Sequence, residues 1–161
     1  MSEKEQPYLY SLIKLTLCIF ALGLISSCSL LKFGPTQIDV QELRILVSPD
    51  ANGDSPLTVE AVLITDENVL KLLSALPADK WFERRNQISF DYPKGFQSWS
   101  WELVPGQEMT LKPPPFMGKS GMAVLLFAHY YFPGEHRARI DSGSVVTVNF
   151  QEKSFVVSAQ Q

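Results

Sequence analysis

"FQSWSWELV", residues 96–104, decides how this chain folds. Trp99, Trp101 and Leu103 alternate with Ser98, Ser100 and Glu102, so an extended backbone puts the large apolar groups on one face and the polar groups on the other. A helix would scatter the same residues around its circumference. Working outward, "SVVTVNF" (144–150) repeats the period with Val146, Val148 and Phe150. Apolar or alternating runs at 38–47, 57–65, 87–90, 108–112, 122–132 and 154–158 read as further strands, and "DYPKG", "VPGQ" and "PGEH" supply turns between them. The expected class is mainly β, an antiparallel β-sandwich. One segment breaks the pattern. Val69, Leu72, Leu73 and Leu76 recur at helical spacing after the cap candidates Thr65 and Asp66, and Pro77 closes the run. This predicts one short helical insertion over 66–76 that covers the sandwich, with Trp81 and Phe82 packed beneath it.

Upstream of the sandwich, "LTLCIFALGLI" (15–25) is an uninterrupted apolar run behind Lys14. It is too short to span a bilayer comfortably and suits the core of a signal peptide. Its end, "ISSC" (25–28), resembles the lipobox of bacterial lipoproteins. That resemblance implies a signal peptide at 1–27, cleavage before Cys28 and a covalent lipid on Cys28. Residues 28–37 form a tether in which Gly34 and Pro35 oppose regular structure, and the sandwich domain occupies 38–161. Each buried methylene adds about 0.8 kcal/mol, so several acyl chains make attachment durable where one gives only marginal binding. Ser29, standing where aspartate would retain a lipoprotein at the inner membrane, implies sorting to the outer membrane with the protein on its periplasmic face.

Composition narrows the classes further. The chain of 161 residues carries a formal charge of −3, and the four charged residues of the signal segment (Glu3, Lys4, Glu5, Lys14) cancel. No basic run invites nucleic acid. Of the two cysteines, Cys18 lies in the signal core and Cys28 is the lipid acceptor, which leaves no disulfide for an oxidising compartment.

Chemistry-bearing constellations are sparse. "FMGKSG" (116–121) copies the end of a phosphate loop, but Pro113 occupies the place of its first glycine and no helix pattern follows. His129, placed in an apolar strand, and His136, in the following turn, make a poor zinc set with only Glu135 close by. There is no G-x-S-x-G elbow and no free thiol to pair with either histidine. "KPPPF" (112–116) reads as the end of an edge strand rather than as a polyproline ligand. The chain is expected to be no enzyme and to carry no metal or diffusible cofactor.

The loop "SPDANGDSPL" (48–57) is the most distinctive polar segment. Counted from Asp50 as a calcium loop, Asn52 and Asp54 fall at positions 3 and 5, but Ser55 sits where glycine belongs at 6 and Ala61 where a bidentate glutamate belongs at 12. The calcium reading fails. An ordinary solvated connection and a surface read by a partner both remain open, the second favoured by Pro49 and Pro56, which limit the freedom lost on docking.

Three stretches together resemble the type VI secretion outer-membrane lipoprotein family called TssJ or SciN. "LVSPDANGDSPLTVEAVLI" (46–64) is similar to the family's strand, Asn-Pro-Asp, glycine, Arg-Pro-Ser-Pro and valine-alternating strand, with Ser48 at the asparagine and Asp54 near the arginine. "WELVPGQEMTL" (101–111) looks like its hairpin, with Gln107 replacing an acid, and "GMAVLLFAHYYFPGEHRARI" (121–140) like its late strand, loop and basic strand. The likeness spans residues 43–150. It implies an immunoglobulin- or transthyretin-like sandwich that binds the periplasmic domain of the inner-membrane protein TssM. The implied contact residues are Ser48, Pro49, Asp50, Asn52, Gly53, Asp54, Ser55 and Pro56, with Asp50, Asn52 and Asp54 as rim acceptors. The alternative is a stand-alone periplasmic lipoprotein or a pilotin-like accessory factor of another envelope assembly.

Overall fold

Two strands bury both of their faces, and the rest of the fold is arranged around them. The computed structural model describes residues 34–161; the expected signal peptide, Cys28 and the first residues of the tether lie outside the described residues. The elements in order are β1 (Thr36–Gln37), β2 (Glu42–Val47), β3 (Leu57–Ile64), α1 (Glu67–Ser74), α2 (Ala78–Asp91), β4 (Phe96–Leu103), β5 (Glu108–Leu111), β6 (Ser120–Gly121), β7 (Ala123–Ala128), β8 (Arg137–Arg139), β9 (Val145–Phe150) and β10 (Phe155–Gln160). Two four-stranded sheets, ordered β10-β9-β2-β5 and β4-β3-β7-β8, form the sandwich, and β1 pairs with β6.

The main core lies between the sheets. Leu43, Ile45, Val59, Ala61, Leu126, Val148 and Phe150 fill it, with Trp99 and Trp101 packed from β4 as the alternation predicts. A second core lies on the opposite face of β3 and β7. There Val62, Ile64, Leu125 and Phe127 meet Val69 and Leu73 of α1 and Trp81 and Ile88 of α2. Asp66 caps α1, its carboxylate accepting from the amides of Asn68 (2.8 Å) and Val69 (3.1 Å).

The structure corrects five expectations. Residues 87–90, read as a strand, belong to α2: from Ala78 to Asp91 no glycine or proline interrupts the run, and Trp81 and Ile88, seven residues apart, supply its buried stripe. The insertion is therefore two helices, with Pro77 ending the first run and capping the second. The β2–β9 pair is parallel, because each of these strands follows a segment that crosses from elsewhere rather than a hairpin. Strand β7 stops at Ala128, so His129 lies beyond it, exposed and stacked on Phe82 with ring centroids 4.7 Å apart. At the start of the fold, β1 lies two residues before the expected boundary at 38, while 38–41 bury Ile38 and Val40 without forming a strand.

Strand directions define two poles. Residues 48–56, 104–107, 129–136 and 151–154 gather at one, joined by Gly106 N to Val47 O (3.0 Å), Ser48 N to Phe150 O (2.9 Å) and His129 N to Thr58 O (2.8 Å). The β1–β6 pair and the Gln41 N to Ser144 O bond (2.8 Å) lie at the other, where the chain comes in.

Two predictions follow from these layers. Trp81 is fully buried, stacked on Phe127 at 5.2 Å, and its indole donates to the buried Glu60 carboxylate (3.2 Å), which also receives Arg85 (2.7 Å). Trp81→Ala should destabilise the chain by about 3–5 kcal/mol in urea unfolding, whereas Phe90→Ala, at an 80% exposed position, should stay within about 0.5 kcal/mol. Glu42, at the start of β2, accepts from Lys112 Nζ (2.7 Å) and from the Arg44 guanidinium, and these bonds hold its carboxyl below the ordinary glutamate value. Because the folded value is the lower one, its stabilisation is present above the unfolded value and lost as pH falls through the folded value. Glu42→Gln should flatten that part of the acid limb of the stability curve and leave its alkaline side unchanged.

Candidate partner interface

The loop 48–56 is a built structure rather than a slack connection. Three successive residues, Asn52, Gly53 and Asp54, take left-handed φ values of 51°, 64° and 57°. Asparagine, glycine and aspartate are the residues that tolerate this region best, which is why the "NGD" triplet can turn the chain so tightly. Ala51 N bonds to Ser48 O (3.0 Å) and Gly53 N to Asp50 O (3.2 Å), closing the turn on itself.

Asn52 does not offer its side chain at the rim. It is 1% exposed; its Nδ2 donates to Pro56 O (3.0 Å) and its Oδ1 accepts from Tyr131 N (2.7 Å). The residue thus staples the loop to segment 129–136. Pro49, Asp50, Gly53, Asp54 and Pro56 are exposed, while Ser48 and Ser55 are half-buried. Seven of the eight expected contact residues therefore present themselves together, and the eighth positions them.

Segment 129–136 extends the same surface. Tyr131 is 76% exposed beside the loop, and Lys153 lies over the Phe132 ring at 5.5 Å. Tyr130 is buried, stacked on His136 at 4.6 Å, and its hydroxyl reaches Ser154 O (2.6 Å) and Gln151 O (3.1 Å). Burial pushes the phenol up from its ordinary value, which keeps it a neutral donor to these carbonyls. A cleft of about 600 Å³ opens between this segment and the start of α2, lined by Pro77, Asp79, Tyr130, Tyr131 and His136 among others. Ala78 N donates to Glu135 O (2.9 Å) and Arg137 to Leu76 O (2.6 Å), tying the helices to the same pole. Reading 122–132 as one strand hid these residues, although aromatics running into Pro133-Gly134 are a turn signal.

The architecture matches known proteins. The crystal structure of the T6SS lipoprotein TssJ1 from Pseudomonas aeruginosa superposes with a TM-score of 0.59 at 12% identity, covering 74% of this chain and 95% of that one. The chain has the TssJ lipoprotein fold. A structure described as a type VI membrane complex contains a chain similar at TM-score 0.59 and 13% identity, with coverage of 76% and 99%. One described as the T6SS protein TssM C-terminal domain from EAEC matches at 0.51 and 11%, with coverage of 73% and 95%. By sequence the chain matches no family model and no curated protein. The TssJ fold is thus reached here with few of the same side chains, as cores of matched volume and pattern permit.

Removing the staple should be felt as stability. Asn52→Ala leaves Tyr131 N and Pro56 O without their partner and should destabilise by about 2–3 kcal/mol in urea unfolding. Asp54→Gly, which relieves a positive φ on the solvent side, should change stability by no more than about 0.5 kcal/mol or raise it.

Proposed function

We propose that this chain is a lipid-anchored component of a type VI secretion membrane complex. In this reading it is attached through Cys28 to the outer membrane, faces the periplasm and holds the periplasmic domain of a TssM-type inner-membrane protein. Its contact surface is the pole formed by 48–56 and 129–136. The role is structural and non-catalytic, and the only modification it needs is the lipid.

The observation that carries the reading is the fold shared with the TssJ1 lipoprotein, combined with a stapled, exposed loop where the sequence resemblance puts the contact. The polarity of the domain supports it. Gly34 and β1, the first described residues, lie at the β1–β6 pole, opposite the loops 48–56 and 129–136. Pro49, Asp50, Asp54 and Pro56 are exposed at that pole, with Tyr131 as an aromatic anchor of the kind that dominates interface energetics.

Two measurements test this. Reversing both exposed acids (Asp50→Arg with Asp54→Arg) should weaken capture of the partner's periplasmic domain at least about tenfold, some 1.4 kcal/mol, with the melting temperature held. Unaltered affinity would remove the loop from the contact. Cys28→Ser should move the protein from the membrane pellet to the soluble fraction, and persistence in the pellet would refute the lipid anchor.

A further inference from the structure

The four sheet edges are not protected equally. Strand β8 is three residues long with an arginine at each end, and β5 is four residues long, begins at Glu108 and runs into Lys112 and three prolines. Beside β4, the fully buried Phe116 lies 6.2 Å from Trp99 and closes the gap between the sheets on that side. Strand β10 has none of these devices. Phe155–Gln160 contains no charge and no proline, and its pairing with β9 runs from Phe155↔Phe150 to Gln160↔Val145 with no bulge.

Its hydrogen-bonding polarity follows from the turn. Gln151 N donates to Ser154 O, so in an antiparallel ladder the even residues of β10 bond to β9. Phe155, Val157 and Ala159 therefore turn their N–H and C=O groups to the open edge. The Phe155 and Val157 side chains face the main core, and next to them a cavity of about 370 Å³ separates β10 from β8, lined by Arg137, Ala138, Lys153, Phe155 and Val157. Pro133, Gly134, Glu135 and His136 line both this cavity and the cleft at the contact pole, so one segment stands between the two openings and places them side by side.

We infer that β10 is a strand-addition site: an extended segment of the partner's periplasmic domain pairs with Phe155, Val157 and Ala159 and puts alternate side chains into the gap between β10 and β8. This rests on the function proposed above, and it specifies how that partner is held. Main-chain pairing supplies affinity, and the gap, lined by Phe155 and Val157 together with Glu135, Arg137 and Lys153, receives every second side chain. A second copy of this chain is the poorer occupant. Antiparallel pairing about a two-fold axis would turn the contact pole of one copy toward the chain-start pole of the other, which opposes attachment of both to one membrane.

Residue-resolved amide exchange on the full lipidated chain in detergent micelles, with and without the purified periplasmic domain of the TssM-type protein from the same host, tests the inference. On binding, Phe155, Val157 and Ala159 should gain protection at least about tenfold, while Val156, Ser158 and Gln160, bonded to β9 throughout, change little. Val157→Pro removes an N–H that faces the edge and not the ladder; it should stay folded and lose at least about tenfold in affinity. A complex that forms with unchanged exchange at the three odd residues overturns strand addition and leaves the proposed function standing. Protection that grows with the chain's own concentration, without partner, assigns the edge to a second copy and overturns it too. Failure of the two proteins to associate at all overturns the proposed function and this inference together.

Discussion

Burial of β3 and β7 on both faces is the constraint that organises the molecule. A strand in a two-layer sandwich needs apolar residues on one face only, yet β3 carries Val59, Ala61 and Leu63 toward the second sheet and Val62 and Ile64 away from it. Without a third layer those outward groups and Leu125 and Phe127 of β7 would form an apolar patch on the surface. The two helices inserted between β3 and β4 are that layer. Glu60, on the same outward face, is tolerated there because Trp81 and Arg85 of α2 both donate to its carboxylate.

Much of this was written in local pattern and some was not. The period-2 faces of β4 and β9 are visible in single strands because each has one wet side, and Val69, Leu72, Leu73 and Leu76 declare α1 by their spacing. Helix α2 was obscured because its buried stripe is narrow: Trp81 and Ile88 are separated by a charged run, and Ile88 to Phe90 read alone as strand formers. The parallel β2–β9 pair depends on how segments cross between sheets, which no window of sequence records.

The loop 48–56 divides in the same way. Its position between two strands and its turn chemistry were legible in "SPDANGDSP", but the direction of the Asn52 side chain was not. Its partner Tyr131 lies 79 residues away in the chain, and an asparagine among aspartates looks like one more solvated acceptor. Only the left-handed run through residues 52–54 turns the amide inward.

That inward turn fits the recognition role proposed for this pole. A loop that must be ordered on docking gives up affinity for each residue it fixes. Here the ordering is done in advance by backbone partners drawn from other segments: Gln151 O for Asn52 N, Phe150 O for Ser48 N, Leu76 O for the Arg137 guanidinium and Glu135 O for the first amide of α2. Each bond is worth only about 1 kcal/mol by itself, but together they connect both cores to the loops. Pro49, Asp50, Asp54 and Tyr131 are consequently presented on a frame held to the cores as well as by the loop's own bonds. Asn52, the residue that ties this loop to the rest, is buried, whereas Pro49, Asp50 and Asp54 are exposed, so changes at the exposed positions leave the frame in place.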